Sequence, residues 1–209
     1  MSGSNLIRWA GLSLLVSGVL VALGFILHPP EEVAAVSSSL WAIAHLLVLV
    51  SFWLGMLSLF GLYARQVAET GVLGLIGFIL VFITMASLTG IIYFEAFIDP
   101  VLAVEAPEFV EARFAGEISR GAFDVIVLLT GLLLILGWLL FGIGIIRAGI
   151  LPRWAAVLAL IGAVPIGLLP LLPSFIIVKI FAVVFGLGLA WLGYALWSEK
   201  PATATTAAI

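Results

Sequence analysis

The stretch Ala122–Ile146 reads AFDVIVLLTGLLLILGWLLFGIGII, and Asp124 is its only charged residue. A helix that crosses the ~30 Å hydrocarbon core of a bilayer needs ~20 mostly apolar residues. This run is long enough, and no turn residue breaks it. Five similar runs lie between charged or proline-rich breaks: Leu6–Leu27, Leu40–Tyr63, Gly71–Ile98, Trp154–Leu172 and Phe175–Trp197. The chain therefore reads as an all-α integral membrane protein, a six-transmembrane-helix bundle. The fifth span, Trp154–Leu172, is interrupted by Pro165 and Pro170 and followed by Pro173. Proline in a membrane helix is tolerated when neighbours satisfy the freed carbonyl, so this span is expected to be kinked or short.

Composition agrees. Hydrophobic residues make up 65% of the 209 and charged residues 9%, against ~45–50% apolar and ~25% charged in soluble domains. That excludes a water-soluble domain and a disordered chain. There is no cysteine, which excludes disulfides, iron–sulfur clusters and thiol chemistry. The eight Lys and Arg form no basic patch, so no nucleic-acid role is expected. Residues 1–200 read as one membrane domain, and 201–209 as a flexible cytoplasmic tail.

Orientation follows the bias of Lys and Arg in short loops. Arg8, Arg65, Arg147, Arg153 and Lys200 fall on one side, and Arg113 and Arg120 on the other. The richer side is assigned to the cytoplasm, which places both termini there. The first run is read as a retained helix and not a cleaved signal, because His28-Pro29-Pro30-Glu31-Glu32 follows it in place of a small-residue cleavage site. The outer loops are acidic, with Glu31 and Glu32 in the first and Asp99, Glu105, Glu108, Glu111 and Glu117 in or near the third. The third connection is the long one. Pro107 suits the first turn of a short helix reaching about Ser119, either interfacial on the membrane or folded over the bundle as a lid.

Two segments look like a duplicated hairpin. Leu59-Phe60-Gly61 precedes Arg65, and Leu140-Phe141-Gly142 precedes Arg147. More broadly, His28-Pro29-Pro30, Trp41 to His45, Gly61-Leu62-Tyr63-Ala64-Arg65 and Arg147-Ala148-Gly149-Ile150-Leu151-Pro152-Arg153-Trp154 resemble uncharacterised six-helix bacterial membrane proteins of the domain-of-unknown-function kind. The resemblance implies a bacterial plasma membrane and carries no activity.

Helical spacing shows which polar groups share a face. Ser13, Ser17, Gly24 and His28 form one stripe, of the small and polar kind that packs helices in membranes. Thr84, Ser87, Ile91, Glu95 and Asp99 form a second. Asp124 shares a face with Gly131 and Gly142, and Lys179 with Gly186, Ala190 and Gly193, while His45 lies on an aromatic face with Phe52, Met56 and Tyr63. His28, His45, Glu95, Asp99, Asp124 and Lys179 thus converge towards the outer side as a candidate ligand pocket. Ionisable groups at membrane depth mark pairing or function, and Lys179 is expected to pair with Asp124 first and Glu95 second.

The role expected is a non-catalytic accessory or binding protein. The alternatives are a small-molecule or lipid transporter, and a metal- or haem-binding protein. In the latter, His28, His45, Glu95 and Asp99 would hold a divalent cation, or the two histidines would bind a non-covalent haem b. No cofactor is required by the residues, and no G-x-S-x-G or H-E-x-x-H motif occurs. The partner expected is the lipid bilayer, with a membrane protein or a second copy as further candidates. Topology reporters test the orientation: fusions after Ser119 should report the outside, and fusions after Gly149 and at the C-terminus the cytoplasm. A C-terminus found outside would refute both the span count and the orientation.

Overall fold

The computed structural model describes residues 3–172 and 174–199. The tail 201–209, Lys200 and Pro173 lie outside the described residues. The chain is helical: α1 Gly3–Leu27, α2 Val33–Val36, α3 Ser39–Ala64, α4 Val67–Phe97, α5 Asp99–Glu105, α6 Pro107–Phe114, α7 Ala122–Ala148, α8 Arg153–Gly167 and α9 Phe175–Ser198, with a 3₁₀ turn at Leu169–Leu171. Five segments are long and apolar enough to cross a membrane: Asn5–Leu27, Ser39–Ala64, Val67–Glu105, Ala122–Ala148 and Phe175–Ser198. The apolar α8 has 15 residues, or ~22 Å at 1.5 Å per residue. Pro165 sits in its last turn, and the chain tightens into the 3₁₀ turn immediately after. A short apolar helix thus stands where the fifth span was expected, but it is not one of the five segments long enough to cross a membrane.

The long helices and α8 form a closed ring. In order, α1 packs on α3, α3 on α4, α4 on α7, α7 on α8, α8 on α9, and α9 back on α1. Glycine makes the last contact possible. A Cβ on Gly18 would overlap the Gly186 carbonyl, and one on Gly186 would overlap the Gly18 carbonyl; Gly11 and Gly193 stand in the same relation. Small residues let backbones approach this closely. Pairing Gly11 with Gly193 and Gly18 with Gly186 makes α1 and α9 antiparallel and puts the start of α1 and the end of α9 at one end of the ring. There the Arg8 guanidinium donates to the Trp197 carbonyl at 3.1 Å, and Arg65 pairs with Glu199 at 2.7 Å.

The α1 stripe does face a helix. Ser13 and Ser17 donate to the Leu54 and Ser51 carbonyls of α3, each at 2.8 Å, and Gly24 lies against Ala44 and Val48. Inside the ring, Leu14, Leu59, Met85, Trp138, Phe141, Phe185 and Leu192 form a continuous apolar core. The duplicated-hairpin pattern has no matching packing, since Gly61 abuts Ala10 of α1 whereas Gly142 faces Leu160 of α8.

At the end opposite the termini, α2, α5 and α6 pack together over the ring. Val36, Ala103 and Val110 bury against Trp41 at the start of α3. The long connection is therefore a cap over the bundle and not a helix lying apart from it. It contains two helices where one was expected, because Pro100 opens α5 and Pro107 opens α6, and α6 ends at Phe114, short of Ser119.

The α1–α9 contact sets a stability test. Gly18→Leu should destabilise by about 1–3 kcal/mol or more, since overpacking a tight interface forces backbone shifts. Gly90, on α4, has no atom within 4 Å of where a Cβ would lie, so Gly90→Ala should be neutral or slightly stabilising. Thermal unfolding in detergent measures both.

Candidate functional site

Beneath the cap lies a cavity of about 400 Å³. His28, His45, Glu95 and Asp99 line it, together with Glu31, Arg113 and Arg120. Trp41, Phe25, Phe114 and Phe175 supply an aromatic wall, and Val48, Ile92, Val127, Leu169, Pro170 and Leu172 an aliphatic one. Three of these last residues come from the connection after α8.

Each polar group is held by its own element. Trp41 is 2% exposed, and its indole N–H donates to the Glu95 carbonyl at 2.8 Å. Glu95 belongs to the last turn of α4, where carbonyls lack intrahelical partners. His45, one turn along α3, is also 2% exposed, with Nδ1 2.8 Å from the Trp41 carbonyl. A carbonyl only accepts, so Nδ1 carries a proton, and in the neutral ring Nε2 presents a lone pair. The nearest carboxylate oxygen, on Glu95, is 3.6 Å from Nε2, beyond hydrogen-bond reach. His28, just past the end of α1, repeats the arrangement with Nδ1 2.7 Å from the Pro29 carbonyl. The two imidazoles touch, with centroids 4.8 Å apart. Burial, and then the neighbouring His45, push the His28 pKa down to about 4, so its ring is neutral at ordinary pH. Glu31 at the rim is pushed above the usual carboxylate range, by desolvation first and by the Glu95 carboxylate second.

The cations here are already engaged. Arg113 forms a bidentate pair with Asp99, at 2.5 and 2.8 Å, with the two side chains only 7% and 1% exposed. Arg120 pairs with Asp124 at 2.6 Å, and Asp124 also accepts from the Arg120 backbone N–H at 2.7 Å. Asp124 is thus a capping group at the start of α7 and does not line the cavity. Lys179 does not line it either; its ammonium donates to the His28 carbonyl and lies 5.8 Å from the centre of the Phe175 ring. The expected Lys179–Asp124 pair does not form, because Arg120 is four residues from Asp124 and occupies it. A Lys179–Glu95 pair does not form among the described residues.

Four of the six candidate residues therefore meet in one cavity, and two stand beside it with structural partners. Sequence reasoning missed Trp41, Arg113 and Arg120. The arginines had been read only as topological charges, and nothing in their spacing tied Arg113 to Asp99. Among the described residues, no three His, Asp or Glu side chains are placed to hold one metal ion. The imidazoles are in mutual contact and not across a gap wide enough for a porphyrin. Compared with known proteins, the chain matches no family model, no curated protein and no solved structure. The likeness to six-helix bacterial proteins thus gives no family assignment.

The Asp99–Arg113 pair clasps α6 to the start of α5, and its removal is informative. Asp99→Asn leaves a buried guanidinium uncompensated and should cost about 3–5 kcal/mol. Adding Arg113→Met should recover part of that loss. By contrast, Lys179→Met and Asp124→Asn should be additive, because the two groups do not touch. Melting curves of the single and double variants check both expectations.

Proposed function

We propose that the chain is a six-span protein of the bacterial plasma membrane that binds a small molecule non-catalytically. Both termini are cytoplasmic, α8 is a short fifth span that brings the count to six, and the capped end faces outwards. The positive-charge bias supports this orientation. The observation that carries the binding reading is the capped cavity itself. At about 400 Å³ it falls within the ~300–1,000 Å³ range of ligand sites, and it is walled by apolar groups with a few polar groups along one side, as such sites are.

Two features favour binding over transport or catalysis. The ring interior towards the terminal end is filled by Leu14, Trp138, Phe141 and Phe185, which argues against a solute path through the bundle. The nearest serine hydroxyl in the first connection, on Ser38, donates to the Ala35 carbonyl and accepts from the Trp41 N–H. It caps α3, as Ser does at a helix start, and is not poised as a nucleophile.

The test is occupancy. Protein purified in mild detergent should carry a stoichiometric small molecule or lipid, detected by mass spectrometry of the extract. Ile92→Trp, which fills the cavity from α4, should remove it without loss of folding. The same extract from both proteins, with nothing retained by either, would overturn the reading.

A further inference from the structure

The cavity has an unusual balance of donors and acceptors. With each Nδ1–H committed to a backbone carbonyl, the neutral rings of His45 and His28 present Nε2 lone pairs. Glu95 brings a carboxylate within 3.6 Å of His45 Nε2. Acceptors that face one another across a gap repel unless a donor lies between them. His45 is 2% exposed, so bulk water does not freely satisfy it.

The donors at hand are engaged. Asp99 holds Arg113, Asp124 holds the Nε of Arg120, and the His28 carbonyl holds Lys179. The Arg120 guanidinium also lies 4.6 Å from the centre of the Phe123 ring. The Asp99–Arg113 and Asp124–Arg120 pairs cancel, and Lys179, whose carbonyl partner leaves its charge in place, offsets one of Glu31 and Glu95, so one net negative charge remains around the lining. Water can donate to the imidazoles, but it does not offset that charge. Beside the acceptors stand Trp41 and Phe175, both packed on His28 with centroids 5.1 and 4.7 Å away. Aromatic faces attract cations, and the aliphatic wall continues from them.

We infer that the cavity takes an organic ammonium ion: a protonated amine that donates N–H to His45 Nε2 and Glu95 and rests a small apolar body on the aromatic and aliphatic walls. The inference rests on the reading that the cavity binds a small molecule. A free amine and the amine of a lipid headgroup share this chemistry.

Calorimetric titration of the full chain in dodecyl maltoside at pH 7.5 tests it, with 2-phenylethylamine, its neutral analogue 2-phenylethanol, and phenylacetate as probes. The amine should bind at least about tenfold tighter than the alcohol, equivalent to ~1.4 kcal/mol, and the carboxylate should not bind measurably. Glu95→Gln, which preserves shape, should abolish that preference, whereas Glu69→Gln on the exposed first turn of α4 should not change it. His45→Phe is a second variant with the same expected loss. An alcohol that binds as well as the amine, or a carboxylate that binds better, would overturn the inference and leave the pocket reading standing. No binding by any probe, with no molecule retained on purification, would overturn both. One-to-one Zn²⁺ binding that the amine does not displace would replace the ammonium with a metal. Repeating the titration in phosphatidylglycerol bilayers with and without phosphatidylethanolamine assigns the source. Weakened amine binding identifies the lipid headgroup as the natural occupant, and unchanged binding identifies a free amine; both keep the ammonium chemistry.

Discussion

The hydrogen bond from the Trp41 indole to the Glu95 carbonyl joins everything at the capped end. It ties the first turn of α3 to the last turn of α4 and satisfies a carbonyl that the helix itself leaves open. The same ring packs within 4.3 Å of His45 and 5.1 Å of His28, and its other side buries against Val36, Ala103 and Val110 of the cap. Bundle, cavity and cap therefore share one side chain. Trp41 is large and apolar with a single donor, and it meets all three demands at once.

The most deeply buried charge at this end, on Asp99, is tolerated because it is neutralised locally. The buried Asp99 would be costly alone, and Arg113 reaches it in the planar two-point geometry that suits a carboxylate. Arg120 and Asp124 repeat the solution four residues apart at the head of α7. Lys179 solves the same problem differently. Its flexible stem carries the ammonium to a backbone oxygen at the end of a neighbouring helix, where carbonyl dipoles favour positive charge. The terminal end has its own arginine contacts, at Arg8 and Arg65, and the core between the two ends carries no buried ionisable side chain among the described residues.

Much of this was legible in the sequence. Spacing of three and four placed Ser13, Ser17, Gly24 and His28 on one face, and Glu95 and Asp99 on another, and helical periodicity survives folding unchanged. The apolar runs located the long helices to within a few residues for the same reason. Side-chain partners were a different matter. Lys179 sits on the expected face, yet spacing within one helix says nothing about which neighbour arrives opposite it. The choice between Arg120 and Lys179 for Asp124 was decided by a turn at the start of α7. The cap was legible only in part. Its prolines announced helix starts, but the burial of Val110 depends on Trp41, far away in the chain. The cavity depends on how early α8 ends, which Pro165 hinted at without fixing.

Closing α1 onto α9 joins the two ends of the chain in sequence. During synthesis α1 is made well before α9, so the Gly11–Gly18 face has no mate until α9 has been made. Contacts between distant segments form late, because loop closure must precede them. The ring accordingly assembles after insertion, from helices already stable on their own in lipid. Once shut it has no terminal helix with a bare flank, much as a closed barrel has no free strand. Loss of the last helix would strip two neighbours together, exposing glycine faces on α1 and α8 that are too narrow and too small to pack well against acyl chains.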